Sequence, residues 1–287
     1  MQKVAKTRLS EYGLGMGPLE RFIDEQLARG RSTFSREELA AGLPLTDSGL
    51  RSALVRLGKR HRLVSPYKNF YVALRPEHVW MGAPDAEQWI SPLMGHLGLD
   101  YRVSLLRSAE LHGSSHQATM VFQVVVPKQL RGIEIGRQRI EFISQAPREF
   151  NAVNQSEFLT SIKSPTGFAK AAGIELTLLD AARYLDKAGG INGVAQMVWT
   201  FGGRAAPRRL SRLAAHYETP GVRRLGFLFE HFQHHRQAKA LEAFGASAKT
   251  NVLLDPFAKP TIPSLAMEFE RDATWKLLLN GEVEIDR

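Results

Sequence analysis

Between Pro18 and Leu74 three helix starts and a hairpin turn follow one another with almost no chain left for loops, and this succession limits the fold more than any other feature. Pro18 suits an opening helical turn, where its missing N–H would have no partner anyway. Leu19, Phe22, Ile23 and Leu27 then recur at helical spacing up to Gly30. A short Ser32-Thr33-Phe34 stretch leads to Ser35, which with Glu38 three residues later makes a capping box. The helix it opens, Arg36 to Ala41, is closed by Gly42-Leu43-Pro44. Thr46 or Asp47 caps a third helix running to about Arg60. Arg62-Leu63-Val64 and Phe70–Leu74 flank a turn containing Pro66 and Asn69, the signature of a β-hairpin. The order predicts a winged helix-turn-helix over residues 1–76.

The third helix points to a partner. On a 100°-per-residue wheel, Leu50, Ala53, Leu54 and Leu57 gather on one face as a buried stripe. Ser48, Ser52, Val55 and Lys59 lie opposite, with Arg51 and Arg56 on the flanks. After Asp47 no acid appears through Val72. A helix that needs only solubility mixes acids and bases in compensating pairs. Small hydroxyls and long cations suit a major groove, where Ser approaches base edges and Arg reaches guanine or phosphate. Residues 1–76 hold 14 Lys and Arg against 7 Asp and Glu, so +7 of the net +9 lies there. A basic domain attached to a nearly neutral one fits a polyanion partner. The expected DNA-facing residues are Ser48, Arg51, Ser52, Arg56, Lys59 and Arg60, with Tyr67, Lys68 and Asn69 on the wing. A winged helix used for protein contact is the alternative, and it gives no reason for an acid-free helix.

Residues 77–90, with Gly82 and Pro84, read as a linker, and residues 91–287 as a larger mixed α/β domain. A helix is expected around Tyr101–Leu111, then strands at Val121–Val126, near Ile133–Ile135 and at Arg139–Ile143. Helices are expected at Glu175–Lys187, Ile191–Thr200, Ala206–Tyr217 and Gly221–His235. Strands are expected at Asn251–Leu254 and Trp275–Leu279. The fold class read from this pattern is α/β (α+β).

The stretch Tyr101-Arg102-Val103-Ser104-Leu105-Leu106-Arg107-Ser108-Ala109-Glu110-Leu111-His112-Gly113, a Ser/His/Gln loop to Gln117, and the strand Val121-Phe122-Gln123-Val124-Val125-Val126 resemble the AbiEi family of bacterial abortive-infection antitoxins. Gly136–Phe142, Glu175–Asp180 and Gly221–Leu228 fit the same pattern in the same order. The resemblance implies an antitoxin of a two-gene system. Its winged helix would repress its own operon by binding operator DNA, and its C-terminal domain would counter a co-encoded nucleotidyltransferase-like toxin. Direct contact with the toxin is not part of the expectation, and neither enzymatic activity nor a cofactor is implied. From the residues alone, a DNA-targeting nuclease and a ligand-responsive repressor stay open as alternatives.

Other constellations carry less. His112 and His116 are separated by Gly113-Ser114-Ser115, which breaks helical continuity, and no third ligand follows at zinc-site spacing. Glu230, His231 and His235 fit the cationic end of a helix better than a metal site. Gly13-Leu14-Gly15-Met16-Gly17 lacks the preceding strand of a dinucleotide fingerprint and reads as a hinge behind a basic arm. Glu134 and Glu141 fall short of a hydrolytic metal site, which needs more acids. Arg204, Arg208, Arg209, Arg212, Arg223 and Arg224 form a candidate second basic surface for DNA, toxin or RNA. Cysteine is absent, which excludes disulfides and thiolate chemistry. No apolar run approaches the ~20 residues of a membrane span. Met1–Arg8 has no signal-peptide core, so a cytoplasmic protein is expected.

Overall fold

The computed structural model describes residues 16–114, 121–258 and 269–285. The basic arm (Lys3, Lys6, Arg8), Gly13–Gly15 and His116 lie outside them. The described chain is a mixed α/β protein, and its contacts divide into two compact units. Of the described residues, one unit comprises 16–99, 132–140 and 163–169, and the other comprises 100–114, 121–131, 141–162, 170–258 and 269–285.

In the first unit the elements between Pro18 and Ala73 follow the order read from the sequence. Helix α1 (Pro18–Ala28) has Pro at its start and buries Leu19 and Ile23. Strand β1 (Thr33–Ser35) leads directly into α2 (Arg36–Gly42). Both halves of the capping box form: Glu38 N donates to Ser35 Oγ at 3.1 Å, and Ser35 N donates to Glu38 Oε2 at 2.9 Å. Helix α3 (Asp47–Lys59) is capped by Thr46, whose Oγ1 accepts from Gly49 N at 3.2 Å, and it buries Leu50, Ala53, Leu54 and Leu57. Strands β2 (Leu63–Tyr67) and β3 (Phe70–Ala73) close an antiparallel sheet in the order β1-β3-β2. The register pairs Phe34 with Tyr71 and Val64 with Val72, then shifts before Tyr67. Asn69 takes the turn at φ 61°, a conformation Asn tolerates better than most side chains. Ser65 Oγ ties the hairpin by donating to Tyr67 O and Phe70 O. Leu19, Ile23, Phe34, Leu39, Leu50, Leu54, Leu57 and Leu63 form one closed core. Each such side chain contributes roughly 1.5–3 kcal/mol.

Residues 77–90, expected as a linker, contain a 3-10 turn at Ala86–Gln88 and buried Ala83, Ala86 and Trp89. Trp89 Nε1 donates to Pro84 O at 3.0 Å. Helix α4 (Ile90–His96) follows, burying Ile90, Leu93 and Met94. Its His96 reaches the wing, with Nε2 3.2 Å from Lys68 O and the ring packed on Phe70.

The second unit begins at Asp100. A helix was expected from Tyr101, but Arg102–Val103 forms strand β4 and helix α5 runs only from Leu105 to Leu111. The reason is pairing: β4 is antiparallel to β5 (Val121–Val126) and parallel to β9 (Gly167–Ala172). Both neighbours hold its backbone extended. Strands β6 (Ile133–Ile135), β7 (Gln138–Ser144) and β8 (Leu159–Ser164) follow in sequence, with β6 in the first unit and β7 and β8 each divided between the two. Helix α6 (Pro147–Val153) lies between β7 and β8 in sequence.

The helical part comprises α7 (Ile174–Arg183), α8 (Gly190–Phe201), α9 (Pro207–Ala214), α10 (Thr219–His231) and α11 (His235–Ala246). The single helix expected over Gly221–His235 ends at His231. There Gln233 adopts φ 61° and His234 N turns back to Phe229 O at 2.7 Å, so α11 starts as a separate helix. The last strands are β10 (Val252–Leu253), β11 (Glu270–Asp272) and β12 (Leu277–Leu279), in the order β10-β12-β11.

Candidate nucleic-acid interface

Helix α3 separates its two faces as the sequence predicts. Ser48, Arg51, Ser52, Val55, Arg56 and Lys59 are all exposed, as is Arg60 just beyond the helix. Ser48, Ser52, Val55 and Lys59 run as a line along the helix, because side chains three and four residues apart share a face. The leucine stripe on the other side fixes this line toward solvent.

The cations on and around this face are not equivalent. Asp47 Oδ1 accepts from Arg36 Nη2 at 2.5 Å, and Asp47 Oδ2 accepts from Arg51 Nη2 at 3.2 Å. The bond from Arg36, followed by its charge, holds the Asp47 carboxyl below the ordinary carboxylate range, and Arg36 is correspondingly raised. Arg62 is paired with Asp24 and stands 3.9 Å from Glu20, which is also 3.9 Å from Arg60. The acid-free run from Ser48 to Val72 is therefore neutralised in part by acids of α1, which no reading of that run alone could find. Arg56 and Lys59 stand outside these ion pairs and are the least compensated cations on the face. On the hairpin, Tyr67 and Lys68 are exposed and Asn69 is half-buried in the turn.

The turn between β6 and β7, within residues 132–140 of the same unit, carries another exposed cation held in place. Arg137 N donates to Met81 O at 2.9 Å, and its guanidinium lies 3.7 Å from the ring centroid of exposed Trp80.

The second basic surface does not form as one patch. Arg223 is buried; its guanidinium donates to Thr250 O at 3.0 Å and Lys276 O at 2.8 Å. Arg224 Nε donates to Leu253 O and Leu254 O. These two arginines cap carbonyls near the last small sheet, and burial lowers the pKa of both. Arg212 is exposed but bound through both terminal nitrogens to Glu157, at 3.0 and 2.8 Å. Arg204 donates to His112 O. Arg208 and Arg209 remain exposed on α9.

The buried chemistry of the second unit centres on Asp180, in α7. Arg102 Nε and Nη2 reach its two oxygens at 2.9 and 2.8 Å, Ser104 Oγ at 2.6 Å and Tyr217 Oη at 2.6 Å. Arg102 Nη2 also donates to Gln145 Oε1 at 2.7 Å. Burial opposes the Arg102 charge, and the Asp180 carboxylate more than offsets it, leaving Arg102 above its ordinary pKa. Burial, then the Asp180 charge, pushes Tyr184 up to about 12. An arginine and an aspartate inside apolar runs, Tyr-Arg-Val and Leu-Leu-Asp-Ala-Ala, are the sequence signal for this pair.

His112 follows α5. Its Nε2 lies 2.9 Å from Ala172 O, its ring packs 5.5 Å from that of Phe201, and burial lowers its pKa. The Ala-x-x-His-Gly segment thus joins α5 to β9 and α8 within one unit. Residues 102–231 match the AbiEi antitoxin C-terminal domain. Arg102, Asp180, Tyr217 and His112 all lie inside the matched stretch, as does Glu230, whose Oε2 accepts from Trp275 Nε1 at 2.6 Å. Glu141 is paired with Lys187 at 2.7 Å, and Glu134 is exposed, 3.9 Å from Arg139. No curated protein matches the chain significantly. The fold is similar to that in the crystal structure of the RV2827C protein from Mycobacterium tuberculosis. That similarity covers 90% of this chain and 89% of the other, at 15% identity and a TM-score of 0.58.

Proposed function

We propose that this chain is an antitoxin that binds operator DNA through a winged helix-turn-helix and represses its own operon. The AbiEi segment would counter a co-encoded nucleotidyltransferase-like toxin. The observation that carries the antitoxin reading is the match of residues 102–231 to the AbiEi antitoxin C-terminal domain. The DNA reading is supported by the basic, outward face of α3 and by the element order helix, strand, helix, helix, hairpin. In this reading residues 1–76 bind DNA, 77–90 connect, and 91–287 act against the toxin. Arg56 and Lys59 are the principal contacts of α3, Ser48 and Ser52 approach base edges, and Lys68 meets the phosphate backbone. Arg208 and Arg209 are what is left of a second cationic contact. The protein is a binding protein rather than an enzyme, and its action is in the cytoplasm.

The test uses the full chain and a duplex spanning the region upstream of its coding sequence, titrated at several salt concentrations. If ~5–8 phosphates are contacted, affinity falls roughly 10³-fold or more between 50 and 200 mM salt. A flat salt response, or no retarded band, overturns the DNA reading. Cleavage of the duplex with divalent metal would support a nuclease instead. Co-expression with the neighbouring gene tests the antitoxin half: growth rescue supports it, and undiminished toxicity overturns it.

A further inference from the structure

Val55 does not belong where it stands if α3 only has to be soluble. It is a β-branched residue, 53% exposed, near the middle of a line otherwise made of Ser48, Ser52 and Lys59. β-Branched side chains lose rotamer freedom in a helix, so Ala, Lys or Glu would serve an exposed helical site better. The core gains nothing from it, because the buried stripe of α3 is complete with Leu50, Ala53, Leu54 and Leu57. A single exposed apolar residue is by itself ordinary. The neighbours of this one are not: two hydroxyls, Arg51, Arg56 and Lys59 surround it on the outward side of one helix.

Among the groups a major groove presents, one is apolar, the 5-methyl of thymine, and small apolar side chains are its usual readers. We propose that Val55 is a specificity-determining residue whose methyl groups pack against a thymine methyl, selecting T over C at that position. The inference rests on the DNA-binding reading above and deepens it. It assigns the discrimination to an apolar contact and leaves Arg56 and Lys59 to supply charge.

The chemistry allows a test that changes one methyl. The upstream duplex is amplified with either dTTP or dUTP, because uracil keeps every hydrogen-bonding group of thymine and lacks only the methyl. Full-length wild type and Val55→Ala are titrated against both duplexes with excess unrelated competitor DNA. Ala is the better helix former, so the variant is expected to fold, and a thermal melt checks this. Wild type should prefer the thymine duplex by about three- to fivefold for each methyl it buries, the ratio corresponding to one buried methyl group. Val55→Ala should bind the thymine duplex more weakly by a similar factor and lose the preference. Coupling between the protein and DNA changes is the decisive readout, since a uniform effect of uracil on duplex shape would appear equally in both proteins. Equal wild-type affinity for the two duplexes, or an unchanged preference in Val55→Ala, overturns the proposal while leaving DNA binding intact. Absence of binding to either duplex removes the DNA-binding reading, and this proposal with it.

Discussion

Arg102 and Asp180 form a two-point ion pair, 2.9 and 2.8 Å long, in which neither side chain is exposed to solvent. They lie far apart in sequence, one on a two-residue strand and the other near the end of α7. Ser104 and Tyr217 also donate to Asp180 and Gln145 accepts from Arg102, so both charges are paired and hydrogen-bonded, the condition under which burial is tolerated, while Arg102 Nη1 has no partner among the described residues. Removing one partner strands the other in an apolar interior.

Asp180→Ala is expected to destabilise the protein by about 3–5 kcal/mol, the usual cost of leaving a buried charge alone. Arg102→Met with Asp180→Leu should recover part of that loss. Urea unfolding of the three proteins is the measurement. A loss below about 1 kcal/mol in Asp180→Ala would mean that Arg102 finds another counter-charge.

Gly226 makes a second sharp demand. A Cβ there would lie 2.1 Å from the Trp275 ring, which is itself buried and held by Glu230. Gly226→Ala should cost roughly 1–3 kcal/mol through overpacking. In a Trp275→Leu background the added methyl should cost much less, and equal penalties in the two backgrounds would contradict the contact.

His112 gives a pH dependence of definite sign. Burial lowers its folded pKa below the unfolded value near 6.5, so the unfolded chain binds the proton more readily. The favourable contribution of neutral His112 is present above about pH 6.5 and is lost as pH falls below that value toward the folded pKa. Denaturation midpoints between pH 8 and 5 should therefore fall more steeply for wild type than for His112→Gln. Parallel profiles would show that His112 does not set the slope.

Among the cations of the first unit, position decides the expected phenotype. Arg56→Ala or Lys59→Ala should weaken DNA binding by on the order of 1–3 kcal/mol if either side chain reaches a base edge, with folding intact. Arg62→Ala removes the partner of Asp24 and should act mainly on stability. Thermal melts set beside gel-shift titrations separate the two. A loss of DNA affinity confined to Arg62→Ala would reverse the assignment.

How far the chain could be read depended on where each determinant lies. Signals that act within one helical turn or one hairpin were legible. The Ser35–Glu38 capping box, the leucine stripe of α3 and the turn at Asn69 sit where the sequence puts them, and of the two candidate caps Thr46 is the one used. The resemblance carried by Ala-x-x-His-Gly and the Val-Phe-Gln-Val strand was legible too, and the match over residues 102–231 agrees with it.

Distant partners decided the rest. Arg102–Val103 is a strand because β5 and β9 flank it, although its own surroundings read as helix. Arg223 and Arg224 looked like surface cations and instead cap carbonyls of the chain after α11 and near β12. Arg62 sits inside an acid-free stretch, yet acids of α1 pair with it. Local backbone preference and amphipathic spacing are written in neighbouring residues. Strand pairing, ion pairing and burial depend on residues brought together from far along the chain, and only the tertiary structure specifies those meetings.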